Sequence, residues 1–452
     1  MSGISRRSFL GATAATSAAL AAPAVRGAGG DGVEVRPTSA APAVHGAEKQ
    51  KTYKTALIGT GWWGMNILRT AIEAGQSEVV ALCDVDRKHL DGAAAEVEKL
   101  IGKAPKKYGD FRELLDGEKP EIAIVGTPDH WHPLVTIAAC NAGAHVYVEK
   151  PVGHTIKEGR AMVAAARANG RVVQVGTHRR VSPHNMWGIR FLREGKLGKV
   201  GMIRAFVHSG GGPGQPTPNE EPPEWLDWNM WCGPGPLRPF NRAIHPRGFR
   251  QFLDYGNGTL GDWGIHWMDH ITWWSEEKWP KMVSSAGGRY IRQDSADAPD
   301  TQAVQFQFDS FTACWEHRRY AANDAEKHPL GICFYGTEGT LHVGWRDDGT
   351  TFYPRNKNHE PINVPPELHL PDHQNIPELW ADFLAAIETG KRPVCDIEIG
   401  HRSTSLSLLG MLSLKLGRSV AWDGEKEDCP GDAEANKLLR REYREPWKYP
   451  EV

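Results

Sequence analysis

The segment GDWGIHWMDH, residues 261–270, sets two carboxylates, two histidines and two tryptophans side by side. Read as an α-helix, Asp262 and His266 are i,i+4 neighbours, and Asp269 lies three residues beyond His266. Such a segment suits a metal site, a proton-handling site, or a packed helix with polar decoration. A metal needs a closed ligand set. Asp262, His266 and Asp269 offer three ligands, but the two aspartates are nearly two turns apart and no HxxEH-type partner accompanies them. We therefore expect no metal. The packed-helix reading suits Trp263, Trp267 and His270 better than it suits Asp262 and His266.

What the segment does depends on its companions. Residues 54–75 read KTALIGTGWWGMNILRTAIEAG. The apolar run 55–58 predicts a strand, and 65–74 has helical periodicity. Between them Gly59, Gly61 and Gly64 form G-x-G-x-x-G. Gly59 suits the tight turn, Gly61 the close approach of backbone to a pyrophosphate, and Gly64 tight helix–strand packing. Asp84 ends the next predicted strand, 20 positions after Gly64. A carboxylate there accepts hydrogen bonds from the adenosine ribose hydroxyls, which favours NAD. Arg87 is near enough in sequence to hold a 2′-phosphate, so NADP stays open. Trp62 and Trp63, read as loop residues, either cover the pyrophosphate, line a substrate mouth or pack against a neighbouring domain.

The alternation continues. EIAIVG (121–126) predicts a strand and 134–142 a helix; HVYVEKP carries another strand, 160–168 another helix, and VVQVGTH a further strand. This rhythm predicts an α/β fold, a Rossmann-type doubly wound parallel sheet, with ligands at the carboxyl ends of its strands. The chain bends there carry Thr127, Asp129, His132, Glu149, Lys150 and His178. Thr127, His132, Glu149 and Lys150 are assigned to the cofactor side, and His178 and Arg179 to substrate. A solvated basic pair is the alternative for Arg179 and Arg180. Asp269 either binds substrate or pairs locally.

After residue 178 the character changes. A Gly/Pro-rich loop covers 209–222, and WLDWNMWCGPGPLRPFN (225–241) is read as a lid, a substrate wall or surface packing. Alternating residues between 282 and 353 predict strands, and 374–390 and 400–417 predict helices. The tail DAEANKLLRREYREPWKYP predicts a docked helix and an extension. The second domain is thus expected to be α+β, with a large, mostly antiparallel open sheet.

Composition narrows the class. The 452 residues carry a net charge of −2 with no basic stripe, which argues against nucleic acid as a partner. The seven cysteines are scattered without a CxxC pair, so buried free thiols are expected. ISRRSFL (4–10) followed by an Ala-rich stretch reads as a twin-arginine (Tat) export signal, with cleavage after Ala24 or Ala28. That signal implies a periplasmic or otherwise exported protein, with no stable membrane anchor after cleavage. The boundaries read from sequence are a signal peptide over 1–28, a flexible linker over 29–51, an NAD(P)-binding domain over 52–178, and a substrate and oligomerisation domain over 179–452.

GTGWWG, TPDHWHP, VEKP and GDWGIHWMDH together make the chain resemble the Gfo/Idh/MocA family of sugar oxidoreductases, over roughly residues 52–450. The resemblance implies a catalytic set of Lys150, Asp262 and His266, a cis bond before Pro151, and oligomer contacts on the second sheet, giving a dimer or tetramer. The chemistry agrees. Oxidising a secondary alcohol needs a base for the hydroxyl proton while hydride leaves. Lys150 at the sheet edge stabilises the developing charge. His266, titrating near neutral pH, moves the proton. Asp262 orients that histidine or holds a sugar hydroxyl.

The expected function is an exported NAD(P)-dependent oxidoreductase acting on a secondary hydroxyl, such as that at carbon 3, of a sugar, inositol or glycoside. Its cofactor is expected to stay bound. The alternative within the resemblance is an NAD-dependent glycoside hydrolase that oxidises, eliminates, adds water and reduces again. That group departs from EKP at the lysine, whereas Lys150 is present here. A non-catalytic sugar sensor is opposed by the intact Lys150, Asp262 and His266.

Overall fold

The computed structural model describes residues 51–451. The expected signal peptide, and the linker apart from its last residue, lie outside the described residues. Six strands build the first sheet: β1 (Tyr53–Ile58), β2 (Ser77–Cys83), β3 (Lys106–Tyr108), β4 (Ile122–Val125), β5 (His145–Val148) and β6 (Val173–Val175). They run parallel in the order β3-β2-β1-β4-β5-β6. Every residue of β4 is buried, as a strand covered by helices on both faces requires. The order reverses direction between β1 and β4, which opens a crevice at their carboxyl ends.

The helix after β1 begins at Trp62, with Gly61 as its N-cap. This corrects the reading of Trp62 and Trp63 as loop residues: they form the first helical turn. The turn before it is tight. Gly59 adopts φ +93°, and a Cβ there would sit 2.6 Å from the Gly126 carbonyl carbon.

The second sheet holds β7 (Val200–His208), β8 (Met282–Gly288), β9 (Thr301–Gln307), β10 (Thr312–Arg318), β11 (Leu330–Gly336), β12 (Gly339–Val343), β13 (Thr350–Pro354), β14 (Ile362–Val364) and β15 (Val420–Ala421). Their order is β14-β13-β12-β11-β7-β10-β9-β8-β15. Only the β7–β10 pairing is parallel, so this sheet is mostly antiparallel, as expected. Strict alternation of buried and accessible residues along β9 and β10 made them legible in sequence. The central strand β7 was missed. Its second half is a continuous buried run, Ala205 to His208, with no period to read.

The core does not divide at residue 178. Ile376, Leu379, Trp380 and Phe383, on the helix Ile376–Thr389, pack into the core of the first sheet. The predicted helix at 400–417 is the longer Ile397–Leu416, which packs beneath the second sheet. The Trp-rich segment around 228 forms a small core of its own, with Trp228 and Trp231 stacked at 4.6 Å. Its tryptophans therefore serve mainly packing. The tail is helical only over Ala433–Lys437. It then runs back to the first domain, where Trp447 packs edge-on against Trp131. All seven cysteines are free, and all but Cys314 are buried. Among the described residues, no helix is long and apolar enough to cross a membrane.

Candidate active site

Two clefts meet at the carboxyl edge of the first sheet. The first, about 1080 Å³ of empty space, is lined by Gly59, Gly61, Trp62, Asp84 and Thr127, among others. The second, about 950 Å³, is lined by Thr127, Glu149, Lys150, His178, Arg179, Asp262 and His266, with others. Trp62, Trp63, Gly126, Thr127, Arg247 and Arg250 border both. A ligand lying in the first cleft therefore ends at the mouth of the second.

The first cleft fits a dinucleotide. Gly61 caps the helix Trp62–Glu73, and a Cβ added to it would meet nothing within 4 Å. The start of that helix thus lies at the cleft with room beside it, and a pyrophosphate at a helix start is favoured by unpaired N–H groups and the helix dipole. Asp84 closes β2 and accepts from Thr60 N at 2.7 Å, Thr60 Oγ1 at 2.9 Å and Asp86 N at 2.9 Å. It is a strut of the glycine loop and lines the cleft. Arg87 does not line this cleft. It is exposed, and its guanidinium donates to the Glu224 carbonyl. Its assignment to the cofactor thus finds no support in this geometry, which ties the guanidinium to the Glu224 carbonyl outside the cleft lining. Asp84→Ala is expected to weaken NAD binding roughly 10- to 100-fold, measured by calorimetry. Unchanged affinity would remove Asp84 from the ribose.

In the second cleft, β5 delivers Glu149 and Lys150 at its carboxyl end. The Lys150–Pro151 bond is cis. Lys150 Nζ donates to Asp262 Oδ1 at 2.7 Å and to the Asp262 carbonyl at 2.9 Å. Arg250 Nε lies 3.2 Å from the same Oδ1. Burial pushes the Asp262 carboxyl up, but Lys150 and Arg250 outweigh it and hold the group below the usual carboxylate range. Asp262 sits in a π-helical turn, Leu260–Gly264, that opens the α-helix Ile265–Trp274. Such turns recur at functional sites because they displace side chains from the regular helical face. Of the two expectations for Asp262, orienting His266 or holding a sugar hydroxyl, the first is not what the structure shows: its carboxylate contacts Lys150 and Arg250.

His266 is buried, and its Nδ1 has no partner. Burial, then the Arg179 and Lys150 cations, drive its pKa well below the ordinary value. It does not titrate near neutrality, as the sequence suggested, and is a neutral imidazole at pH 7. His178 behaves likewise, lowered to about 3 by burial and by Lys150 and Arg179. Its ring lies between Trp63 at 5.5 Å and His266 at 6.4 Å. The two ring nitrogens of His132 lie 2.7 Å from the Pro151 carbonyl and 2.9 Å from the Thr127 carbonyl, and the ring, its pKa lowered to about 4 by burial, donates to one of them. Asp269 is absent from the cleft wall. It accepts both Arg180 Nε at 2.8 Å and Nη2 at 2.9 Å, and Ser403 Oγ at 2.7 Å. Of its two readings, local pairing is the observed one.

Asp129 and Glu149 are buried carboxyls whose Oδ2 and Oε1 lack partners. Burial raises each to about 7, for Asp129 against the pull of Arg250 and for Glu149 against that of Trp63 and then Lys150. A carboxyl raised on folding keeps its proton while the unfolded chain loses it. Stability is therefore present at low pH and lost as pH rises from the ordinary carboxylate range to about 7. The loss is about 1.4 kcal/mol per pH unit for each group. Buried neutral histidines such as His178 and His266 work in the opposite direction over the same range, so the check is a difference: from pH 5 to pH 7 the urea midpoint of the ligand-free protein is expected to fall relative to that of the Asp129→Asn, Glu149→Gln double variant. The same pH dependence in both proteins would reject this origin.

Arg247 and Arg250 were missed in the sequence. They come from the loop HPRGFRQ, around the 3-10 turn Gly248–Gln251, and no spacing rule marks them.

Two family models match this architecture. One, described as an oxidoreductase family with an NAD-binding Rossmann fold, covers residues 53–177. The other, the C-terminal alpha/beta domain of that family, covers 201–322 and 359–449. The chain belongs to the Gfo/Idh/MocA oxidoreductase family. Its first domain is accordingly an NAD-binding domain. Inositol 2-dehydrogenase of Salmonella typhimurium is 30% identical over 154 residues, 34% of this chain and 45% of that protein. A glycosyl hydrolase family 109 protein of Saccharopolyspora erythraea is 29% identical over 201 residues, 43% of this chain and 44% of that one. The chain thus spans less than half the length of these curated Gfo/Idh/MocA relatives. An oxidoreductase domain protein from Kribbella flavida shares the fold, with a TM-score of 0.65 and 22% identity over 82% of this chain and 99% of that one.

Proposed function

We propose that the protein is an NAD-dependent oxidoreductase of a carbohydrate CH–OH group. The observation that carries this is Lys150, held in the second cleft by Asp262, which also contacts Arg250, a residue that borders both clefts. Bound NAD supplies the hydride acceptor for an alcohol carbon. The chain supplies the rest. Lys150 donates a hydrogen bond to the hydroxyl oxygen as negative charge develops there. Neutral His266 is the base in this cleft for the hydroxyl proton, weakened by burial and by the Arg179 and Lys150 cations. Asp129 and Glu149 offer unpaired oxygens to neighbouring hydroxyls, and Trp263 and Trp345 offer flat faces to the ring. The Salmonella inositol dehydrogenase similarity supports a polyol or sugar substrate. Asp84, with Arg87 tied to the Glu224 carbonyl, supports NAD over NADP. We further propose export through the twin-arginine segment at 4–10 with cofactor retained, and assembly into a dimer or tetramer through the second sheet.

A second reading has specific support. Two buried carboxyls near pH 7 in one sugar-sized cleft suit the elimination and water addition of an NAD-dependent glycosidase, and a family 109 glycosyl hydrolase is among the relatives. The deciding experiment is mass spectrometry of pooled sugars, inositols and glycosides incubated with the protein, with and without added NAD. A product lighter by two hydrogens is expected. Released aglycone without net NADH would replace the dehydrogenase reading with the glycosidase one.

A further inference from the structure

Arg179 is only 3% exposed and lines the second cleft, yet its Nε and Nη1 have no hydrogen-bond partner. Its guanidinium lies over Trp267 at 3.7 Å and near Trp345 at 5.8 Å. The rings steady the cation but do not answer its donors. A buried guanidinium without acceptors is costly, and native proteins rarely leave one so. The nearby carboxylates are already engaged. Asp269 is taken by both prongs of Arg180 and by Ser403. Asp262 is shared by Lys150 and Arg250. Burial accordingly lowers Arg179 to about 9 against the modest help of Asp269.

Charge in the cleft points the same way. Lys150, Arg179, Arg247 and Arg250 bring four cations to its wall. Asp262 is the one carboxylate there held firmly ionised, since Asp129 and Glu149 are pushed toward their neutral forms. The cleft is therefore short of negative charge, and the shortage centres on a buried residue built to hold an anion in a planar fork.

We propose that the substrate is an acidic sugar whose anionic group, carboxylate or phosphate, pairs with Arg179. This rests on the reading of the second cleft as a sugar site. It goes beyond that reading by excluding neutral hexoses and inositols as the preferred substrates. The anionic group sits on a carbon other than the one oxidised, because Lys150 and His266 occupy the reacting end of the same cleft.

The test titrates the full chain, saturated with NAD, with a hexuronate, a hexose 6-phosphate and the matching neutral hexose. Wild type is compared with Arg179→Gln and Arg179→Lys by calorimetry, and turnover is followed by mass spectrometry. At least one anionic sugar is expected to bind about 100-fold more tightly than the neutral one. Arg179→Gln should abolish that preference and Arg179→Lys keep part of it. Preference for the uronate alone names a carboxylate, and for the phosphate ester alone a phosphate. Equal affinity for acidic and neutral sugars in wild type overturns the proposal, whatever the variants do. So does a preference that survives in Arg179→Gln. An acidic sugar bound through Arg179 but never oxidised would sink the dehydrogenase reading and leave this one standing. Neutral sugars oxidised with the same kcat/KM as acidic ones would do the reverse.

Discussion

Replacing Lys150 with alanine is expected to lower kcat by roughly 10²- to 10⁴-fold while NAD affinity survives. The reasoning is geometric. Lys150 follows β5 at the carboxyl edge of the sheet and lines the second cleft, and only 12% of its side chain is exposed. Its ammonium is fixed by two acceptors of one residue, the Asp262 carboxylate and carbonyl. A donor fixed in advance stabilises developing charge without reorganising, and that is where electrostatic catalysis gains most. The glycine loop and Asp84, which line the first cleft, share no hydrogen bond with Lys150. Rate and cofactor affinity should therefore separate. Steady-state kinetics with NAD fluorescence titration would read both. Near-normal turnover removes Lys150 from the chemistry, and a parallel loss of NAD binding makes it a cofactor residue instead.

The parts legible in sequence share one property: local pattern and structural role coincide. The glycine loop, Asp84 and the strand ends bearing Thr127, Glu149 and Lys150 follow from period and from the rule that ligands lie at carboxyl ends. The strands β9 and β10 were visible because one face is buried and the other is not. What sequence could not show is pairing across the chain. Asp262 and His266 look like helical neighbours, but the π turn and the reach of Lys150 across 112 positions reassign the aspartate. Asp269 looks like a third site residue until Arg180 is seen to occupy it. His266 has an ordinary imidazole pKa in any sequence reading, because burial and neighbouring cations are properties of the fold. Arg250 gave no local signal, and Arg87 was singled out through proximity alone.

The Lys150–Asp262 pairing makes a second strong demand. Asp262→Asn keeps the shape of the side chain and removes its charge. Lys150 and Arg250 then face each other without the carboxylate that both contact. Their repulsion displaces the ammonium from the reacting oxygen, and a misplacement near 1 Å costs about 10²-fold in rate. We expect that loss in kcat, with a smaller change in KM. Asp262 acts through Lys150 as a positioning residue, so its effect should vanish where Lys150 is absent. The double variant Asp262→Asn, Lys150→Ala should be no slower than Lys150→Ala alone, because groups that act as one unit are not additive. Asp262→Glu, which restores the charge one methylene further out, should recover part of the rate. A merely structural aspartate gives a different result: additive losses in the double variant, no rescue by glutamate, and a fall in folding stability matching the fall in activity. Kinetics of these variants, with urea midpoints measured beside them, separate the two cases because the hydrogen bonds from Lys150 to Asp262 are the only link the positioning role requires.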